Sequence, residues 1–299
     1  MRGLVERFGR GDPLHARGVA ITLFTALMWS STGLIFRHIE QATPWQVIFF
    51  RAMLLGGALA LAFGLRYRRR TLAAVASIGL TGLIAAVLLS LGSVFFLFAI
   101  SRTTIANVAF LTSSVPFLAA IAGWLLLRER VARTTGVCIA FAMLGVAVMV
   151  AEGFALGGWV GNLMALGCAS ASAGFTIALR YGRHGDMSPC VMVSGFVTMV
   201  IAAPFVGAFT ITWHDLAMCA IQGVAVSALC NVLFTYAARW VPAAELTLLS
   251  LLETVLSPTW VWLALNEVPS PWTLLGGAIV LGAVMGQAVG ALRRGAVGR

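Results

Sequence analysis

From residue 18 to residue 291 the chain alternates long apolar runs with short polar connections. A hydrocarbon layer about 30 Å thick is crossed by about 20 helical residues. That ruler marks ten candidate spans, at 18–36, 44–64, 72–99, 104–127, 134–151, 158–179, 189–208, 215–237, 242–265 and 271–291. Backbone groups inside lipid find no water to bond, so each run is expected to be helical. The pattern predicts an all-α polytopic membrane protein with ten transmembrane helices and no room for a soluble domain in its connections.

The polar positions between the runs set an orientation. All 20 basic residues are Arg. Alternate connections hold Arg2, 7, 10 and 17, Arg66, 68, 69 and 70, Arg128, 130 and 133, Arg180 and 183, Arg239, and Arg293, 294 and 299. The connections of the opposite set hold Arg37 and Arg102 only, a split of 17 to 2, and Arg51 lies within a span. Excess Arg marks the cytoplasmic face. Both termini are therefore expected in the cytoplasm, which requires an even number of spans. Residues 1–17 and 292–299 read as polar cytoplasmic tails, and no cleavable leader is apparent in the first of them.

Two stretches align at an offset of 138: FLFAISRTTIANVAFLTSSVPFLAAIAGWLLLRER at 96–130 and LFTYAARWVPAAELTLLSLLETVLSPTWVWLALNEV at 233–268. Phe98 meets Tyr236, Ala99 meets Ala237, Leu111 meets Leu249, Thr112 meets Ser250 and Glu129 meets Glu267. This is the mark of an internal repeat. Its units are expected at 18–151 and 152–291, five helices each. Five is odd, so the second unit must cross the membrane in the opposite sense. Inverted repeats of this kind place a solute site near the midplane between the halves.

Composition narrows the function. The chain is 60% hydrophobic and only 10% charged, against about 25% charged in soluble domains. Its pI near 10.9 does not indicate nucleic acid, because the Arg residues flank apolar runs and do not cluster on a soluble face. Cys138, Cys168, Cys190, Cys219 and Cys230 lie in or beside apolar runs without CxxC spacing, as small core residues do. His15, His38, His184 and His214 never pair at i, i+4, so no metal site is expected. No phosphate loop or dinucleotide fingerprint is present, and no cofactor is expected. The pairs His184-Gly-Asp186 and His214-Asp215 read as solvated turns.

Several residues carry a family resemblance. They are Trp29-Ser30 late in span 1, Arg51-Ala52 in span 2, Ser113-Ser114-Val115-Pro116 followed by LLLRER, Leu251-Leu252-Glu253 in span 9, then LALNE and a Gly-rich last helix. In order and spacing the chain resembles the EamA-type branch of the drug/metabolite transporter superfamily. Within it the chain is similar to the YddG-like exporters of aromatic and other neutral amino acids. The resemblance implies two five-helix modules and export of small metabolites. Where family members often carry Pro after the Glu of span 9, this chain has Thr254. Its nearest proline is Pro258, which would displace a helix break by about a turn.

Charge inside a span costs about 2.5–3.5 kcal/mol and usually faces a protein interior or a wet cavity. Arg51, Glu245 and Glu253 are in this position. Ser250, Glu253 and Ser257 share one helical face. Glu253 either lines a path or is a structural carboxylate paired with Arg51, and both readings stay open. Asn107, a candidate substrate-binding residue with Asn231 and Glu253, meets Glu245 at the 138 offset, each about one turn into its helix. Glu245 is read as a first-turn carboxylate favoured by the helix dipole, with gating as the rival reading. Asn231 and Phe234 of span 8 correspond to Ser93 and Phe96 of span 3, and all four are candidate lining residues. Trp29 either packs or walls a cavity. Pro116, Pro242 and Pro258 are candidate hinges.

The expected protein is a transporter in a bacterial inner membrane, not an enzyme. It would export neutral and aromatic amino acids by alternating access around a central cavity. Its partners would be a small-molecule substrate and the lipid bilayer, with a monomer expected and oligomers left open. Export of other metabolites or drugs is the nearest alternative. A membrane-embedded lipid-modifying enzyme is the rival of another class, and the connections show no nucleophile or metal cluster for it.

Overall fold

The computed structural model describes residues 13–68, 71–102, 108, 111–129, 131–149, 159–265 and 271–296. The ten expected spans correspond to ten helical passages there. Span 1 is Pro13–Ser30 followed by Thr32–Arg37, and span 2 is Pro44–Tyr67. Span 3 is Thr71–Ala76 and Gly79–Arg102, span 4 includes Val115–Leu127, and span 5 is Arg133–Met149. Span 6 is Trp159–Tyr181, and span 7 is Pro189–Ala202 with a 3₁₀ turn at Ala203–Phe205. Span 8 runs through Trp213–Ala220, a π-helical stretch Ile221–Ala228 and Leu229–Ala237. Span 9 is Ala243–Ser250 and Leu252–Leu265, and span 10 is Pro271–Ala296.

Prolines set several starts. Pro44 and Pro189 each open a helix, where the missing N–H costs no bond. Span 1 is helical over Pro13–Ser30, so His15 and Arg17, expected in a polar tail, lie in the helix. Span 2 also has a capping box: Gln46 N–H donates to Thr43 Oγ1 at 3.3 Å, and Thr43 N–H donates to Gln46 Oε1 at 2.7 Å.

Five passages are long and apolar enough to cross a membrane as single windows: Leu14–Phe36, Pro44–Tyr67, Gly79–Ala99, Trp159–Tyr181 and Trp213–Ala237. Large apolar side chains such as Leu61, Trp124 and Leu126 point outward, 66%, 62% and 68% exposed. In water that surface would be an aggregation patch; in lipid it is the expected exterior.

The packing obeys a pseudo-twofold rule. Span 3 packs on span 6 as span 8 packs on span 1, and span 4 packs on span 6 as span 9 packs on span 1. Spans 2 and 7, 4 and 9, and 5 and 10 pack as pairs that the operation maps onto themselves. Two of these pairs cross at glycine. A Cβ on Gly195 of span 7 would lie 2.8 Å from the Gly56 Cα of span 2, and one on Gly145 of span 5 would lie 2.7 Å from the Gly276 oxygen of span 10. Backbone meets backbone there, the usual means of close helix approach in lipid.

Candidate functional site

Spans 1, 4 and 9 are interrupted at or beside a serine, as span 3 is near its end at Ser77-Ile78. Ser31, Ser114 and Leu251 send their N–H to the carbonyls of Met28, Leu111 and Leu248, three residues back, at 3.2, 3.1 and 3.1 Å. The hydroxyls of Ser31, Ser114 and Ser250 bond back to Met28, Leu111 and Leu246 at 2.7, 2.6 and 3.0 Å. Such back-bonding competes with the helical ladder and bends it. At the 138 offset Ser113 meets Leu251, so the breaks of spans 4 and 9 are repeat equivalents. Pro116 is the second residue of the helix beyond the first break. In span 9 the break lies at Leu251, not a turn beyond Glu253, and helix continues through Pro258. Serine back-bonding and a tightened turn do there what the expected proline would do.

The break gives Glu253 its setting. It stands in the first turn of Leu252–Leu265, where the helix dipole favours negative charge. It is partly buried, and no hydrogen bond or ion pair to it occurs among the described residues. Its helix packs on spans 1 and 10. Next to this region Trp29 packs on Phe234 at 5.3 Å between centroids, and Phe234 stacks on Phe175 at 6.3 Å. Trp260 Nε1 donates to Ser30 Oγ at 2.7 Å, tying span 9 to the break of span 1. The centre thus sets a carboxylate with no partner among the described residues near a buried aromatic cluster.

The remaining expected residues fall as follows. Arg51 is not paired with Glu253: its side-chain partner is Gln222 Oε1, at 3.5 Å. Ser93 and Asn231 each bond a carbonyl four residues back, Leu89 at 3.2 Å and Ser227 at 2.8 Å. Their neighbours depart from the symmetry, Phe96 being 38% exposed and Phe234 4%. Asn107 lies outside the described residues, as do Arg130 and Glu267. Glu245 is buried in the first turn of Ala243–Ser250 and meets His15 Nε2 at 3.2 Å.

The two ends of the bundle carry polar ties that the sequence reading missed. At the Arg-rich end Arg180, 6% exposed, donates Nε to Glu129 Oε1 at 2.9 Å and also reaches it through Nη2. Arg180 Nη1 donates to the Ala238 carbonyl at 2.9 Å, and Ala243 N–H donates to Glu129 Oε2 at 3.3 Å. Tyr67 donates its hydroxyl to Asp186 at 2.7 Å, and Arg239 pairs with the same carboxylate at 3.2 Å. Burial alone would raise the Asp186 carboxyl; Tyr67, Ser188 and Arg239 outweigh it and hold the group below the usual range. At the other end Asp215, fully buried, accepts the N–H groups of Glu40, Gln41 and Ala42 at 3.0, 3.0 and 2.9 Å. Gln46 Nε2 donates to the Ala208 and Thr210 carbonyls at 2.8 and 3.0 Å.

Asp186 and Asp215 are therefore not the solvated turns expected of them. Each belongs to a tie between the two halves. A signal for one was present: Thr212-Trp-His-Asp215 is a helix-start pattern, and Asp215 N–H does donate to Thr212 Oγ1, at 3.2 Å.

The comparisons with known proteins agree with this architecture. The family model described as "EamA-like transporter family" matches twice, at residues 16–151 and 159–287. No curated protein matches the chain. Among 29 matching chains of solved structures is one described only as "Crystal structure of protein". It is 19% identical with a TM-score of 0.79, over 93% of this chain and 98% of that one. At that identity it speaks to the fold alone.

Proposed function

Because the chain belongs to the EamA-like transporter family, a family of membrane transporters of small molecules, we propose that it exports neutral amino acids, aromatic ones among them. The membrane is a bacterial inner membrane, with both termini and the Arg-rich end in the cytoplasm. The Arg distribution supports that orientation.

One observation carries the substrate reading: the carboxylate of Glu253, with no hydrogen bond or ion pair among the described residues, stands in the first turn of a half-helix near the aromatic cluster of Trp29, Phe234 and Phe175. A buried charge without a partner is costly, and an arriving ammonium group supplies one. The aromatic wall takes an apolar or flat side chain, since ring contacts contribute about 0.5–1.5 kcal/mol beyond area burial. Ser250 and Asn231 border the same region with polar atoms. The mechanism is alternating access. The repeats rock about the breaks of spans 1, 4 and 9, and ties open at one end while those at the other hold.

Flux in liposomes tests this. Purified protein accelerates efflux of labelled phenylalanine, with saturation and counterflow. Glu253→Gln lowers that flux about tenfold or more, as the loss of a charge-assisted contact requires, and Asn231→Ala lowers it less. Normal flux in both variants would remove these residues from the path. Flux that rises linearly without counterflow would mean a pore.

A further inference from the structure

We propose that Arg51, together with the π-helical stretch that presents Gln222, forms the site that receives the carboxylate of the transported solute. This deepens the amino-acid reading above and rests on it, but it concerns a different part of the molecule from Glu253.

Arg51 lies seven residues into span 2, about 10 Å from its Arg-poor end at about 1.5 Å per residue, so its guanidinium stands within the membrane region. A cation there needs an anion, a set of acceptors or water. The buried Arg180 is supplied with acceptors: Glu129 and the carbonyls of Ala238 and Arg239. Arg51 does not. No carboxylate pairs with it among the described residues, and its one side-chain partner is the neutral Gln222 oxygen at 3.5 Å. That distance is at the edge of bonding. The same oxygen already accepts the Ser227 hydroxyl at 3.1 Å. A guanidinium has five N–H donors, so most of this one's capacity is unspent. The nearest acid along span 8 is Asp215, and three backbone N–H groups already occupy it.

The backbone that packs against this residue is unusual. Residues Ile221–Ala228 wind as a π-helix, a form frequent at functional sites. Gly223 lets that stretch lie directly on span 2, since a Cβ there would come within 2.7 Å of the Arg51 carbonyl oxygen. Arg51 remains partly exposed. A planar fork of donors with its stem fixed and its head unpaired matches a carboxylate in bidentate geometry.

The test is thermal unfolding of the full chain in phospholipid-free detergent micelles, titrated with benzoate, phenylalanine or phenethylamine. Benzoate and phenylalanine are expected to raise the midpoint of the parent protein. Both should need about tenfold or more higher concentration in Arg51→Gln. Phenethylamine, which has no carboxylate, should act equally on both proteins. Arg51→Lys keeps the charge and loses the fork; it should fall between them, and it serves if Arg51→Gln does not fold. Equal benzoate protection of parent and variants overturns the proposal. Loss of the benzoate effect in the variants, with no phenylalanine effect in any protein, keeps the anion site and discards the amino-acid reading. If added phosphatidylglycerol displaces benzoate, the resident anion is a lipid headgroup and the solute assignment is overturned.

Discussion

Glu253 stands in an apolar run, on the helical face of Ser250 and Ser257, and has no hydrogen bond or ion pair among the described residues. What surrounds such a side chain depends on how spans 1, 9 and 10 pack, and that information is distributed over the whole bundle. Asp186 makes the same point from outside the spans. Its short connection looks like any turn, and only the approach of Tyr67 and Arg239 makes it a tie. Because those groups hold its carboxyl low, the stability it supplies is complete above its unfolded value of about 3.9 and fades as pH falls through the lower folded value. Asp186→Asn should therefore melt earlier than the parent at neutral pH, and the gap should close on acidification below about pH 4. Melting curves across pH check this; a gap that ignores pH would mean that the carboxylate's charge is irrelevant there.

At the scale of the helix, length and existence were legible and interruptions were not. An apolar run of about 20 residues reports a crossing, but the hydropathy of Leu248–Leu252 is blind to the break it contains. Serine back-bonding is a local signal for such breaks, yet serine also sits in unbroken helix, as Ser90 and Ser170 do here. Thr254 N–H donates to the Leu251 carbonyl only three residues back, at 3.0 Å, so Thr254→Pro should lose that one bond, a cost of about 1 kcal/mol. Leu256→Pro, a little further into the helix, should cost about 3 kcal/mol. If both variants melt alike, span 9 is not broken at Leu251. The glycine crossings allow a sharper contrast. Gly195→Ala puts a methyl 2.8 Å from the Gly56 Cα, where only backbone can yield, and should destabilise by about 1–3 kcal/mol. Gly57→Ala, which meets open space, should melt no lower than the parent.

For the whole molecule, counting Arg against connections was enough to predict ten passages, and a modest internal similarity was enough to predict two opposed halves. What remained hidden is how the halves are held. Each end carries ties running from one repeat to the other, built from residues that look ordinary in sequence: Glu129, Arg180, Gln46 and Asp215. Arg180 in particular reads as one more positive charge at a membrane face, and its burial depends on carbonyls contributed by the connection at 238–239. Breaking one side of a buried ion pair costs about 3–5 kcal/mol. Arg180→Ala should show a loss of that order in denaturant or thermal unfolding, and adding Glu129→Gln should restore a large part of it. A double variant as unstable as the sum of its parts would mean that the two side chains are not coupled.

Span 8 holds one further consequence. Its π stretch contains a residue more than an α-helix would need to cover the same rise, and that slack sits above Asn231 and Phe234. Were the coil to tighten to α geometry, everything below it would swivel by about 100°, the turn per residue of an ordinary helix. Phe234 would leave Trp29 and Asn231 would sweep to a new wall, so a single passage could exchange an oily lining for a polar one without either end letting go.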